Sequence, residues 1–164
     1  MRHAKAEDDS DYATDAERPL TKRGVEDAAR MGAYLSAQGM LPQQILCSSA
    51  TRTRETLQHL GVTIPTILSE KLYLASAGEM LAQLQQCDDA LQHIMIIGHN
   101  PGMHELVVRL MEDAKDEKDI KRLALKFPTC ALAQLSVDAK SWGNVGLNSA
   151  VLEAYLIGKE LPEP

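Results

Sequence analysis

The sequence predicts a mixed α/β protein, a three-layer α/β/α sandwich around a mostly parallel central sheet. Two observations carry that expectation. Short apolar runs such as Ile45-Leu46-Cys47 and Ile94-Met95-Ile96-Ile97 alternate along the chain with stretches of helical periodicity, the pattern of strands fed by crossover helices. The run at 94–97 is apolar at every position, as in a strand buried on both faces. With 164 residues the chain can bury one full core without disulfides or a metal, so residues 1–164 are read as a single domain.

Taken in order, Met1 to Ala4 would end a central strand that has almost no length before it. Either an upstream segment precedes it or a short stub suffices. Residues 6–18 form a polar loop without periodicity, carrying Glu7, Asp8, Asp9, Asp11, Asp15 and Glu17. Thr21 is a plausible N-cap for a helix over 22–38, with Gly39 as its stop. A buried strand is expected over 44–48, a helix over 50–60 ended by Gly61, an extended piece within 62–68 broken by Pro65, and a helix from 76 or 77 to 86. After the strand at 94–97, Asn100 would cap a helix with Pro101 at its first position, running to about Glu112. Residues 113–121 read as a charged connector, 132–137 and 150–157 as strands, 141–148 as a loop with Trp142, and 159–164 as a tail.

Composition excludes several function classes. No apolar run approaches the roughly 18 residues of a membrane span, and the N-terminus has no signal-peptide stretch, so a cytoplasmic protein is expected. A net charge of −6 argues against nucleic-acid binding, which needs a basic surface. Cys47, Cys87 and Cys130 are odd in number and widely spaced, and read as reduced, mostly buried thiols. An anion site would therefore be a local gathering of Arg and His within an acidic whole.

Three segments offer such a gathering: Arg2 and His3, the stretch 48–56 with Arg52, and 98–102 with His99. A transferring phosphoryl group spreads charge over its oxygens, so catalysis is chiefly positioning and stabilisation by fixed donors. Arg2 and Arg52 supply forked donors that stay charged, and His99 an imidazole donor. The strand, turn and helix around His99 would also aim backbone N–H groups at an anion. His3 must be neutral at one nitrogen to attack phosphorus, and nearby Arg charges favour that form. Arg18 is a phosphate ligand or a salt-bridge partner of the acidic loop. Ser48 is read as structural, and His59, His93 and His104 as surface or boundary residues. His99 and His104 do not share a helix face, so no metal site is expected.

In order and spacing, Arg2-His3-Ala4, Arg18-Pro19-Leu20-Thr21, Cys47-Ser48-Ser49-Ala50-Thr51-Arg52 with Thr56, and Gly98-His99-Asn100-Pro101-Gly102 resemble the histidine phosphatase superfamily. Within it the short length and the Arg18–Thr21 segment look most like the SixA-type phosphohistidine phosphatases. Phe127-Pro128-Thr129, the strand after it and Trp142 agree with that branch. The resemblance implies a phosphoglycerate mutase-like fold and a cofactor-free, metal-independent phosphatase with a covalent phosphohistidine intermediate on His3. Arg2, Arg52 and His99 would hold the phosphoryl oxygens.

The sequence departs from the mutase branch at the general acid. The region 69–79 is short and holds only Glu70 and Glu79 as carboxylates, both read as surface residues rather than proton donors. A leaving group that departs without much help is then favoured, as phosphohistidine does. The expected partner is a phosphorylated protein, such as a histidine phosphotransfer domain, approaching a monomer. The alternatives are a small phosphate ester on the same site, or a phosphate-binding regulatory module with little turnover.

Overall fold

The structure, a computed structural model, describes residues 1–8 and 12–163. Asp9 and Asp11 of the acidic loop lie outside the described residues. In chain order the elements are α1 (Lys22–Ala37), β1 (Gln44–Ser48), α2 (Thr51–His59), β2 (Thr66–Ser69), α3 (Ala77–Leu84), β3 (Ile94–Ile97), α4 (Gly102–Leu110), β4 (Met111–Ala114), α5 (Glu117–Leu125), β5 (Ala131–Val137) and β6 (Ala150–Ile157).

Two three-stranded groups make up the sheet. In the first, ordered β2-β1-β3, all pairs are parallel. In the second, ordered β4-β6-β5, β4 runs parallel and β5 antiparallel to β6. The opening residues stitch the groups together. Arg2 pairs in parallel with Gly98, and His3 N–H donates to Gly98 O at 3.1 Å. On the other side Arg2 N–H donates to Ala131 O and Cys130 N–H to His3 O, both at 2.9 Å.

Side-chain parity explains the three layers. Along β1, Ile45 and Cys47 enter one apolar cluster with Ala28, Met31 and Leu35 of α1, while Leu46 enters the other with Met80 of α3 and Leu106 of α4. On β3, Met95 and Ile97 join the first and Ile96 the second. The strand is apolar throughout because both of its faces are covered. On β6 the parity changes partway: Ala150 and Leu152 point into the second cluster, and so do Tyr155 and Ile157. An irregularity opposite Gln134 and Leu135 inserts the extra residue, and such a bulge keeps the same face inward.

The helix signals hold where side chains cap or stop. Thr21 accepts from Gly24 N–H, and Gly39 and Gly61 adopt φ +66° and +65° just past α1 and α2, the left-handed exit that glycine makes easy. Three expectations need correction. Asn100 does not cap α4; its Nδ2 donates to Phe127 O instead, Pro101 takes the cap position so that the helix opens at Gly102, and α4 stops at Leu110 rather than Glu112. The connector at 113–121 is the end of β4 and the first half of α5. Its charges concealed the elements because they bond to neighbours: Asp116 caps α5, and Asp119 accepts from Tyr155 N–H. The tail begins with a 3-10 turn at Gly158–Glu160, held by Arg122 on Glu160. Among the described residues, no helix is long and apolar enough to cross a membrane.

Candidate active site

The carboxyl ends of β1 and β3 and the opening stub meet at one edge of the sheet, and each delivers part of the constellation. His3 is 8% exposed, with Nδ1 2.7 Å from Ala4 O. A carbonyl only accepts, so Nδ1 carries the proton and Nε2 is left with a free lone pair. Burial holds the His3 imidazole down to about 4, helped by the charges of Arg52, Arg2 and Arg18, with the Ala4 bond acting the other way. His3 is thus neutral at ordinary pH.

His99 follows β3, its ring centroid 5.2 Å from that of His3. It is almost fully buried. Its Nε2 lies 2.8 Å from Ser48 Oγ at the end of β1, while its Nδ1 is buried without a partner. Burial, then the neighbouring His3 and Arg52, pushes it down to about 3. Gly102 opens α4 because nothing larger fits: a Cβ there would sit 1.9 Å from Ala75 O.

Arg52, in the first turn of α2, is 2% exposed. Its Nη1 donates to the main-chain O of Asp15 at 2.6 Å and its Nη2 to Asp15 Oδ2 at 2.8 Å, leaving Nε buried and unpartnered. Thr56, one turn on, donates to Arg52 O at 2.6 Å and accepts from Ala4 N–H at 2.9 Å, tying α2 to the stub. Arg2 sends Nη1 to Phe127 O at 2.9 Å, sharing that oxygen with Asn100, and its Nε is also buried without a partner.

The structure therefore brings His3, His99, Arg2 and Arg52 to one place, and two buried guanidinium N–H groups and one ring nitrogen of His99 there have no hydrogen-bond partner among the described residues. A group with several anionic oxygens would satisfy them, and buried donors are otherwise nearly always paired. Arg18 sits further out. It pairs with Asp15 at 2.7 Å and donates to Glu7 O, the salt-bridge option of the two open for it. Glu79 closes a capping box with Ser76, and Glu70 is exposed at the start of a 3-10 turn. His104 is half-buried, bonded to Leu123 O and stacked on Phe127. Among the described residues, no group of three or more His, Cys, Asp or Glu is arranged to hold a metal ion.

Two residues at the site escaped sequence reasoning. Asp15 looked like one of several loop carboxylates, yet it accepts from Arg52, Arg18 and the Tyr73 hydroxyl, and the Tyr73 bond followed by Arg52 holds its carboxyl well below the usual range. Tyr73 places its ring edge-on to His99 with centroids 5.5 Å apart. A lone tyrosine after the 3-10 turn gave no periodic signal. Ser48, read as structural, is the hydrogen-bond partner of His99.

Comparison with known proteins gives a concordant result. The family profile described as histidine phosphatase superfamily (branch 1) matches residues 1–86. An uncharacterized protein of Mycobacterium tuberculosis is 34% identical over 156 residues, 94% of this chain and 98% of that one. The phosphohistidine phosphatase SixA of Escherichia coli is 26% identical over 157 residues, 87% of this chain and 86% of that one. A solved structure assigned to phosphohistidine phosphatase SixA from Nakamurella multipartitia superposes with TM-score 0.82 at 27% identity, covering 95% of this chain and 92% of that chain.

Proposed function

The chain belongs to the histidine phosphatase superfamily, and from that premise we propose that it hydrolyses phosphohistidine on a protein, by way of a phosphorylated His3. Nε2 of His3 attacks phosphorus as the substrate imidazole leaves. Water then attacks the phospho-His3 adduct, releasing inorganic phosphate and restoring the neutral ring. Arg2 and Arg52 hold the equatorial oxygens, and His99 donates through Nδ1. No metal takes part in these steps. The reading carries with it a monomer working in signal transduction in the cytoplasm.

The single observation behind this reading is the set of buried nitrogens without partners among the described residues, Arg2 Nε, Arg52 Nε and His99 Nδ1, beside an imidazole whose free nitrogen is unprotonated. The carboxylates bear on the substrate class. Among the described residues, Asp15 is the carboxylate bonded into the site, and a group held so far below its usual range is ionised and has no proton to give a leaving alkoxide. A P–N bond asks for less, because the departing imidazole takes its proton from water. The rim also carries exposed apolar side chains, with Leu74 next to Tyr73 and Leu68 on the edge strand both more than half exposed, which suits a protein surface better than a sugar.

Turnover of a phosphorylated histidine phosphotransfer domain should be compared with turnover of sugar phosphates, with EDTA present throughout. The expected result is faster release from the phosphoprotein, insensitive to EDTA, with a trapped label on wild type that is absent from His3→Ala. Faster turnover of the sugar phosphates would make the protein a small-molecule phosphomonoesterase. Neither label nor release from several donors would make it a binding module.

A further inference from the structure

The Asp15 carboxylate is an odd neighbour for an anion site. Donors from three separate segments converge on it. Arg52 Nη2 and the Tyr73 hydroxyl reach Oδ2 at 2.8 and 2.7 Å, and Arg18 reaches Oδ1 through Nε at 2.9 Å and Nη2 at 2.7 Å. Arg52 is also gripped through Nη1 by the Asp15 main-chain oxygen. The side chain of Asp15 is itself 41% exposed, so these bonds do not belong to the packed core. They fix a buried guanidinium before any substrate arrives.

Resting on the reading of Arg52 and His99 as phosphoryl ligands, we propose that Asp15 and Tyr73 act as a positioning pair. They hold both ligands in the geometry of the transferring group, at the expense of affinity for the anion itself. Taking one donor on each terminal nitrogen of Arg52, Asp15 dictates where the remaining donors, Nε–H among them, must point. Tyr73, anchored by its hydroxyl, lies 5.8 Å from the Arg52 Cζ and 5.5 Å edge-on from His99, so one ring limits the swing of both. A long, freely rotating arginine loses this pre-alignment when the anchor is removed, and misplacements of about 1 Å can lower rates by as much as about a hundredfold.

The carboxylate also repels the phosphoryl group in the ground state. Its two effects are opposed, which gives the pair a signature that a merely structural contact lacks. In Asp15→Asn the charge goes, and with it one of the two acceptor oxygens. Oxyanion binding should tighten on the order of fivefold, the size of a unit-charge repulsion screened by water at close range. The turnover number should fall by about tenfold or more. In Tyr73→Phe the charge stays but the anchor is lost, so kcat should fall by a smaller factor while oxyanion affinity stays as in wild type. The double variant should be little worse than Asp15→Asn, since both residues act through the same guanidinium.

The test uses the whole chain. Tungstate binding is measured by calorimetry, which needs no turnover, and kcat and KM are measured on the phosphorylated phosphotransfer domain. Thermal unfolding of each variant is followed alongside. Tighter tungstate binding with lower kcat and lower KM in Asp15→Asn supports the pair. Unchanged or weaker binding, or an unchanged kcat, overturns it, and so does a loss of both that tracks a lowered Tm. A wild type that binds tungstate but releases no phosphate defeats the phosphohistidine reading alone. The tungstate comparison then still decides, with equal affinity in wild type and Asp15→Asn overturning the pair.

Discussion

Lowering the pH from about 8 to about 5 should destabilise the folded protein by about 4 kcal/mol through two imidazoles. His3 and His99 are buried and neutral, with values pushed from 6.5 down to about 4 and about 3. Once the chain unfolds they regain the ordinary value, so the unfolded chain binds protons that the native one refuses. Stability then falls as pH falls, beginning near the unfolded value of 6.5 and continuing until each folded value is passed. At pH 5 an unfolded imidazole sits one and a half units below its value, worth about 2 kcal/mol, while both folded imidazoles remain largely unprotonated. Asp15 does not blur this window. Its lowered carboxyl contributes stability that is present above the ordinary value of 3.8 and lost only below it. Asp27 works the other way, since burial raises its carboxyl, and acid relieves that strain. Comparison with variants removes it from the account. Urea unfolding followed through Trp142, the single tryptophan, would be run at several pH values for wild type, His3→Gln and His99→Gln. Each variant should lose about 2 kcal/mol of the drop, while the buried Met1 amine, pushed from 8.0 down to about 5, adds a loss in the same window that wild type and variants share. If both keep the full pH dependence of wild type, the buried neutral pair is wrong.

Activity should share the same origin: the acid limb of kcat/KM is expected near pH 4, from His3, instead of near 6.5, and a limb at 6.5 would show an exposed nucleophile. Arg52→Lys keeps the charge but loses the fork held by Asp15, and should lower kcat/KM by about a hundredfold in a steady-state assay. Gly102→Ala drives a methyl to 1.9 Å from Ala75 O, so it should lower stability by about 1–3 kcal/mol and reduce kcat by displacing the start of α4 next to His99. Gly32→Ala meets Leu60 O at 1.8 Å between α1 and α2, away from the imidazoles. It should bring a similar stability loss in urea titrations with kcat of the folded fraction retained.

How far such a site is legible in a sequence depends on whether a residue's role leaves a local trace. Strands β1 and β3 were visible because burial on both faces demands an unbroken apolar run, and α1 because Thr21 and Gly39 bracket a periodic stretch. His3, Arg52 and His99 were found together because each lies at the end of such an element, where chain order fixes position. Asp15 and Tyr73 were missed because their meeting joins residues 58 apart in sequence, with no periodicity on either side. The elements within 111–125 were hidden for a related reason. Their charged residues bond across to Tyr155 and Glu160, and a row of charges seen alone looks like solvated loop. Asn100 misled in the opposite sense: it has the right type and place for a cap, yet its amide is held by Phe127 O.

The stub that sets His3 in place is also the seam between the two halves of the sheet. Detaching those few rungs would at once remove the reacting nitrogen and let the halves drift apart, so chemistry and architecture share a common point of failure. Amide protons of Arg2 and His3, exchanged against deuterium, should therefore be released only with the most slowly opening part of the molecule. Residual turnover during heating should report the closing and parting of that seam rather than any looser event at the rim.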